Sequence, residues 1–215
     1  MKKISQIAIV YSSTRKTDEA LDKVTKIIKS LGCKIVLSSN IKRLNLASYK
    51  KASTADLILV LGGDGTMIGS IRNLYSLDVP FLGVNSGTVG FLTDLSLSKV
   101  DKLKDILAGS FLMEKRPIFE AFSSSRKKEI FLNEVVIHSG SVTKMLDLEL
   151  SLKGQVIYNL KADGLIISSS TGSTAYSYSG GGPIISPKLD AISLLPMFSH
   201  SSSSHSLVLS NKEEV

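Results

Sequence analysis

Apolar residues along this chain fall into two textures. Residues 4–11, with Ile4, Ile7, Ile9 and Val10 around Ala8, form an apolar run of buried-strand length. From Asp18 onward, Ala20, Leu21, Val24, Ile27, Ile28 and Leu31 recur at spacings of three and four. That spacing lays one apolar stripe along a helix, and Gly32 stands where its C-terminal cap is expected. Residues 34–38 predict a second strand. Leu57-Ile58-Leu59-Val60-Leu61 predicts a third and runs straight into Gly62-Gly63-Asp64-Gly65-Thr66. A helix is expected from there to about Leu77, then a turn at Asp78-Val79-Pro80 and a fourth strand at Phe81–Val84. Strands alternating with helices imply a parallel sheet with helices on its faces.

The texture changes after a helix that ends near Gly109. Short β-like runs follow: Phe131-Leu132 into Val135-Val136-Ile137, then Leu146–Leu152, Val156–Leu160 and Leu165–Ser168. Gly, Asn, Asp and Ser separate them, the pattern of a mostly antiparallel unit. The expected architecture is therefore an α/β N-terminal domain with a parallel sheet, residues 1–117, followed by a β-rich C-terminal domain, residues 118–215.

Composition narrows the class. The chain has 215 residues, 43% of them hydrophobic, which is enough for a core and excludes global disorder. Cys33 is the one cysteine, so an intramolecular disulfide and a cysteine-built zinc site are excluded. No apolar stretch reaches the roughly 18–20 residues that span a bilayer. Met1-Lys2-Lys3 lacks a following apolar core and reads as the start of a cytoplasmic domain, not a signal peptide. Lys and Arg outnumber Asp and Glu 26 to 19, a net charge of +7. Those cations are scattered, with Arg126-Lys127-Lys128 the longest run and no aromatic platform beside them, so neither nucleic acid nor membrane is expected as a partner. A phosphorylated small molecule suits the surplus better.

Three segments carry chemistry. Gly62-Gly63-Asp64-Gly65-Thr66 follows a strand and opens a helix, where open α/β sheets bind ligands. Its glycines would let amides approach phosphate, and Asp64 would sit at the mouth; a plain strand-to-helix turn with a capping Asp or Thr is the alternative. The loop is neither a P-loop nor a dinucleotide fingerprint, since Ile68 stands where a third glycine belongs. Asn133-Glu134 interrupts an apolar run, as partnered polar residues or as a solvated strand edge. Lys161-Ala162-Asp163-Gly164, then Ser169 to Ser177, then Gly180-Gly181-Gly182-Pro183 concentrate hydroxyls and glycines after a strand, which suits a flat polar ligand. His138, expected at a strand end, His200 and His205 lack metal-site spacing, and Cys33 reads as a small core residue.

In series, these segments resemble the NAD kinase family over about residues 4 to 210. Gly62–Thr66 matches its GGDGT, and Gly83-Val84-Asn85-Ser86-Gly87 with Gly90-Phe91-Leu92-Thr93-Asp94 its GxNxGxxGFLTD. Asn133-Glu134 matches its NE, Asp163–Ser179 its DGLIxxxPTGSTAYSxS, and Gly181–Ile184 its GGPI. The resemblance implies transfer of the γ-phosphoryl of ATP, or of polyphosphate in some members, to the 2′-hydroxyl of the adenosine ribose of NAD. It also implies a divalent cation, usually Mg²⁺, a homodimer or homotetramer, and an active site between the domains. By carry-over, Asp64 would accept the hydroxyl proton, while Gly62, Gly63, Gly65 and Thr66 would shape the phosphate-binding turn. NAD contacts would come from Asn85, Phe91, Asn133, Glu134, Lys144, Lys161, Asp163, Thr174, Ala175, Tyr176, Ser177 and Ser179.

The chain departs from the family at Ser170, a usual proline, and at Ser199, Ser201, His205 and Ser206, which replace Pro, an apolar residue, Arg and Pro. Lost prolines raise the entropy of an unfolded loop. The sequence is also shorter than usual for the family, so the second domain is expected to lack its last strands. Two rival readings accompany the kinase: a degenerate copy that binds NAD(P) without turnover, and a lipid kinase sharing only the GGDGT loop.

Overall fold

A computed structural model describes residues 4–85, 87, 90–125, 127–140, 144–199 and 205–215. The basic start at Met1–Lys3, Ser86, Arg126, His200 and the serines at 201–204 lie outside the described residues. The chain packs as two units, Met1–Glu114 and Lys115–Val215.

The first unit runs β1 (Gln6–Tyr11), α1 (Arg15–Ser30), β2 (Lys34–Asn40), α2 (Leu46–Ala52), β3 (Leu57–Leu61), α3 (Asp64–Leu74), β4 (Phe81–Asn85), β5 (Leu95–Ser96) and α4 (Leu103–Leu107). Its strands pair in parallel in the order β2-β1-β3-β4-β5. All five residues of the central strand β3 are buried, because helices cover both faces. Side chains alternate across a strand, so Ile7, Ile9, Leu57, Leu59 and Leu61 pack with Val24 and Ile28 of α1 and Leu103 of α4. Ala8, Val10, Ile58 and Val60 pack on the other face with Ala52 of α2 and Met67 and Leu74 of α3. Cys33 is buried in the first of these clusters.

Helix α1 begins at Arg15, three residues ahead of Asp18 where the pattern opens, because Thr14 and Thr17 form a reciprocal cap. Thr17 N–H donates to Thr14 Oγ1 at 3.2 Å, and Thr14 N–H donates to Thr17 Oγ1 at 2.8 Å. The sequence pattern does not reveal α2. Its seven residues make too few turns for a period to show, and Asn45 caps it by accepting from Ser48 N–H at 2.9 Å.

The second unit runs β6 (Phe119–Phe122), β7 (Lys128–Phe131), β8 (Glu134–His138), β9 (Leu146–Leu152), β10 (Gln155–Ala162), β11 (Gly164–Ser169), α5 (Tyr176–Ser179), β12 (Ala191–Met197) and β13 (Leu207–Ser210). Its main sheet is antiparallel in the order β13-β12-β11-β8, beside the hairpins β6–β7 and β9–β10. One face of that sheet, with Leu165, Ile167 and Leu194, meets Leu148, Leu150 and Tyr158 of the β9–β10 hairpin. The opposite face carries two rows fixed by register: Val136–Ile166–Leu195, and Glu134–Ser168–Ser193. The segment around α5 covers this second face, for a Cβ on Gly180 would lie 2.9 Å from Leu195 Cδ2. Among the described residues, no helix is long and apolar enough to cross a membrane.

Candidate functional site

In the first unit, Gly62-Gly63-Asp64-Gly65-Thr66 leaves β3 at the C-terminal edge of the parallel sheet and starts α3. Gly62 is required there. Its φ is +151°, and a Cβ would sit 2.4 Å from Thr66 Oγ1. Gly63 caps α3 without a side-chain hydrogen bond, and Thr66 N–H already donates to Gly63 O at 2.9 Å, so an anion at this helix start would meet the Asp64 and Gly65 amides. Asp64 is the first helical residue, and its side chain is held by backbone from 27 and 28 positions further on. Phe91 N–H donates to Oδ2 at 2.9 Å and Leu92 N–H to Oδ1 at 3.1 Å.

Asn85 and Phe91, both expected to touch NAD, stand at this edge in different states. Asn85 is buried, donating from Nδ2 to Thr93 Oγ1 at 3.2 Å and accepting from Gly87 N–H at 2.8 Å, so its amide braces the loop. Phe91 is 79% exposed, and its backbone N–H meets the Asp64 carboxylate.

In the second unit, Asn133 immediately precedes the edge strand β8 and Glu134 opens it, yet they are not the solvated polar pair that an edge allows. Asn133 Oδ1 and Glu134 Oε2 are buried and without a hydrogen-bond partner among the described residues. Buried acceptors of this kind call for a donor. The 3₁₀ turn Gly172–Thr174 and α5 lie over them, bringing Thr174, Ala175, Tyr176, Ser177 and Ser179 to the same end of β11. The serine-rich loop differs from the donor-rich surface that its composition suggests. Ser169 Oγ bonds Leu132 O and accepts from Gly172 N–H at 3.0 Å, while Ser173 Oγ bonds Ser170 O at 2.8 Å and accepts from Ile185 N–H at 3.0 Å. These hydroxyls fold the loop, and Ser177 Oγ is buried without a partner among the described residues.

Lys144, Lys161 and Asp163 are not gathered with that group. Asp163 precedes Gly164, which pairs with His138, whereas Glu134 pairs with Ser168 at the other end of β11. At ~3.3 Å per residue, the two ends lie roughly 15 Å apart. Lys161 forms an exposed ion pair with Asp147 at 3.3 Å on the β9–β10 hairpin, and Lys144 is exposed just ahead of β9.

Burial holds the Glu134 carboxyl above its usual 4.5, and a hydrogen bond from Tyr176 N–H only partly opposes this. The unfolded chain ionises this group freely as pH rises past 4.5, while the folded chain resists. Stability from Glu134 is therefore full below the unfolded value and declines as pH rises through the folded one. Denaturant midpoints measured from pH 4.5 upward are expected to show that decline in the natural chain and to lose it in Glu134→Gln.

Among the described residues, no group of three or more His, Cys, Asp or Glu side chains could hold a metal ion. The described residues thus offer no such cage.

Sequence comparison matches residues 7–111 to the ATP-NAD kinase N-terminal domain and residues 132–215 to the ATP-NAD kinase C-terminal domain. The NAD kinase of Chromohalobacter salexigens is 45% identical over 165 residues, covering 74% of this chain and 56% of that protein. The NAD kinase of Teredinibacter turnerae is 38% identical over 213 residues, covering 96% of this chain and 69% of that protein. The crystal structure of an NAD kinase from Archaeoglobus fulgidus in complex with ATP shares the fold, with a TM-score of 0.80 at 24% identity over 97% of this chain and 78% of that one. The chain therefore spans between about half and about two thirds of the length of these curated relatives.

Proposed function

Since this chain belongs to the NAD kinase family, we propose that it phosphorylates NAD at the 2′-hydroxyl of its adenosine ribose, with ATP as donor. The ribose oxygen attacks the γ-phosphorus, the bond to the β–γ bridging oxygen breaks, and ADP leaves. Asp64 receives the hydroxyl proton. Phosphoryl transfer asks for positioning and charge neutralisation more than covalent chemistry, and Mg²⁺, when bound with the nucleotide, supplies part of that neutralisation. The observation that carries this reading is the Asp64 carboxylate, pinned by two amides at the C-terminal edge of a parallel sheet and at the start of α3, where no side chain caps the helix.

In this reading Asn133 Oδ1 and Glu134 Oε2 accept from hydroxyls of NAD, for which their buried, unpartnered oxygens are suited. Thr174, Ala175, Tyr176, Ser177 and Ser179 complete that group, and Lys144, Lys161 and Asp163 contribute from the other end of β11. A cytoplasmic homodimer or homotetramer is the matching assembly, supported by family membership alone.

The test is NADP formation from NAD, ATP and Mg²⁺ by the purified chain, with calorimetric NAD binding alongside. Product supports the kinase; binding without product moves the reading to a non-catalytic NAD(P)-binding protein. Gly65 gives a second check. A Cβ there meets no heavy atom within 4 Å, so steric demand inside the protein does not explain this glycine. Gly65→Ala is expected to gain up to about 1 kcal/mol of stability through helix propensity. The same variant loses activity at subsaturating ATP, because the added methyl stands where phosphate must approach. Thermal melts and initial rates at low ATP measure both.

A further inference from the structure

We infer that Thr93 is a positioning residue for Asp64, acting through the backbone of residues 90–92. The inference rests on the reading of Asp64 as proton acceptor and adds the device that aims it. Asp64 Oδ2 accepts from Phe91 N–H at 2.9 Å and Oδ1 from Leu92 N–H at 3.1 Å, so the two bonds together fix the orientation of the carboxylate. This approach depends on Gly90, where a Cβ would lie 2.1 Å from Oδ1, 2.4 Å from Cγ and 2.5 Å from Oδ2. A carboxylate accepts about four hydrogen bonds, so two amides leave lone pairs free for a ribose hydroxyl.

What holds the amides in place is Thr93. Its side chain is buried, and Oγ1 accepts from Gly90 N–H at 3.0 Å and from Asn85 Nδ2 at 3.2 Å. The next residue ties the loop to β4 in both directions: Gly83 N–H donates to Asp94 Oδ2 at 3.0 Å, and Asp94 N–H donates to Gly83 O at 3.0 Å. Gly83 permits that contact, since a Cβ there would fall 2.8 Å from Thr93 Cα. The path runs from β4 through Thr93 and the Gly90 amide to the two N–H groups on Asp64. Thr93 touches no reacting atom in it.

Thr93→Val keeps the shape and removes the acceptor, and Thr93→Ser restores it. In Thr93→Val, hydrogen exchange at the Phe91 and Leu92 amides is expected to accelerate by about tenfold or more, with amides elsewhere unchanged. NADP formation is expected to lose about 30–100-fold in kcat, the scale of a misplaced catalytic group, with KM for NAD and ATP nearly unchanged. Thr93→Ser recovers both. In the natural chain, independent of the folding of any Thr93 variant, exchange at the Phe91 and Leu92 amides should be slow beside that of exposed loop amides, and Asp64→Ala should accelerate it at those two. Unchanged exchange of the two amides in Thr93→Val, or fast exchange of both in the natural chain, overturns the clamp whether or not the chain makes NADP. Loosened amides with an unchanged kcat overturn its role in the reaction. A natural chain that makes no NADP while the amides behave as expected counts against the proposed function and leaves the clamp standing.

Discussion

Asp64→Asn is expected to lower kcat for NADP formation by about 10²–10⁴-fold, the range for loss of a general base, while KM for NAD changes little. Two effects act together. The amide does not take a proton from the ribose hydroxyl, and it does not fit its own surroundings. Both carboxylate oxygens accept backbone N–H groups, from Phe91 at 2.9 Å and from Leu92 at 3.1 Å. An asparagine offers one acceptor and places an NH₂ donor against the other amide, so one of the two bonds is lost however the side chain turns. Steady-state rates with ATP, Mg²⁺ and NAD, beside thermal melts of both proteins, separate these losses. A variant that keeps most of its kcat would remove Asp64 from the proton-transfer role.

Gly172→Ala is expected to cost about 3 kcal/mol of stability in the second unit, the upper part of the range for overpacking a filled site. It should also sharply weaken NAD binding. A Cβ at residue 172 would lie 2.2 Å from Asn133 O, 2.4 Å from Asn133 C and 2.6 Å from Asn133 Cα. All three are backbone atoms, so no rotamer change relieves the clash. Either the 3₁₀ turn at Gly172–Thr174 opens or the start of β8 moves, and Asn133 and Glu134 move with it. Ser169 N–H donates to Asn133 O at 2.8 Å, and the intruding methyl would press on that same oxygen. Denaturant unfolding and NAD calorimetry test this. Native stability with native affinity would show that this contact between the turn and the strand carries neither.

Much of the first unit is legible before folding. The aliphatic run at Leu57–Leu61 predicts a strand covered on both faces, and all five residues are buried. The stripe from Ala20 to Leu31 predicts α1, and Val24 and Ile28 reach the core as that spacing requires. The helix after the glycine loop ends with the 3₁₀ turn Tyr75–Leu77 and a left-handed Asp78, at the predicted turn. Less is legible in the second unit, where β6, β12 and β13 are short or carry no alternation distinct from their surroundings. The abundance of serine at residues 168–177 identifies a special loop but not its use. Hydroxyls that bind backbone and hydroxyls that face a ligand look alike in a sequence, because both need only a small polar side chain.

By itself the sequence determined what near neighbours decide: the alternation of strand and helix, the glycine turn that opens α3, the C-terminal cap of α1 at Gly32, and the order of motifs that carries family membership. These depend on periods and turn chemistry spanning a few residues. Only the tertiary structure decided that Asp64 is held by the amides of Phe91 and Leu92, with Gly90 left bare to admit it. It likewise turned the amide of Asn85 inward as a brace, buried the oxygens of Asn133 and Glu134 at a strand edge, and placed Asp163 and Tyr176 at opposite ends of β11. Such outcomes follow from strand register and from contacts between residues far apart in the chain, where one glycine or one shift of register changes which groups meet.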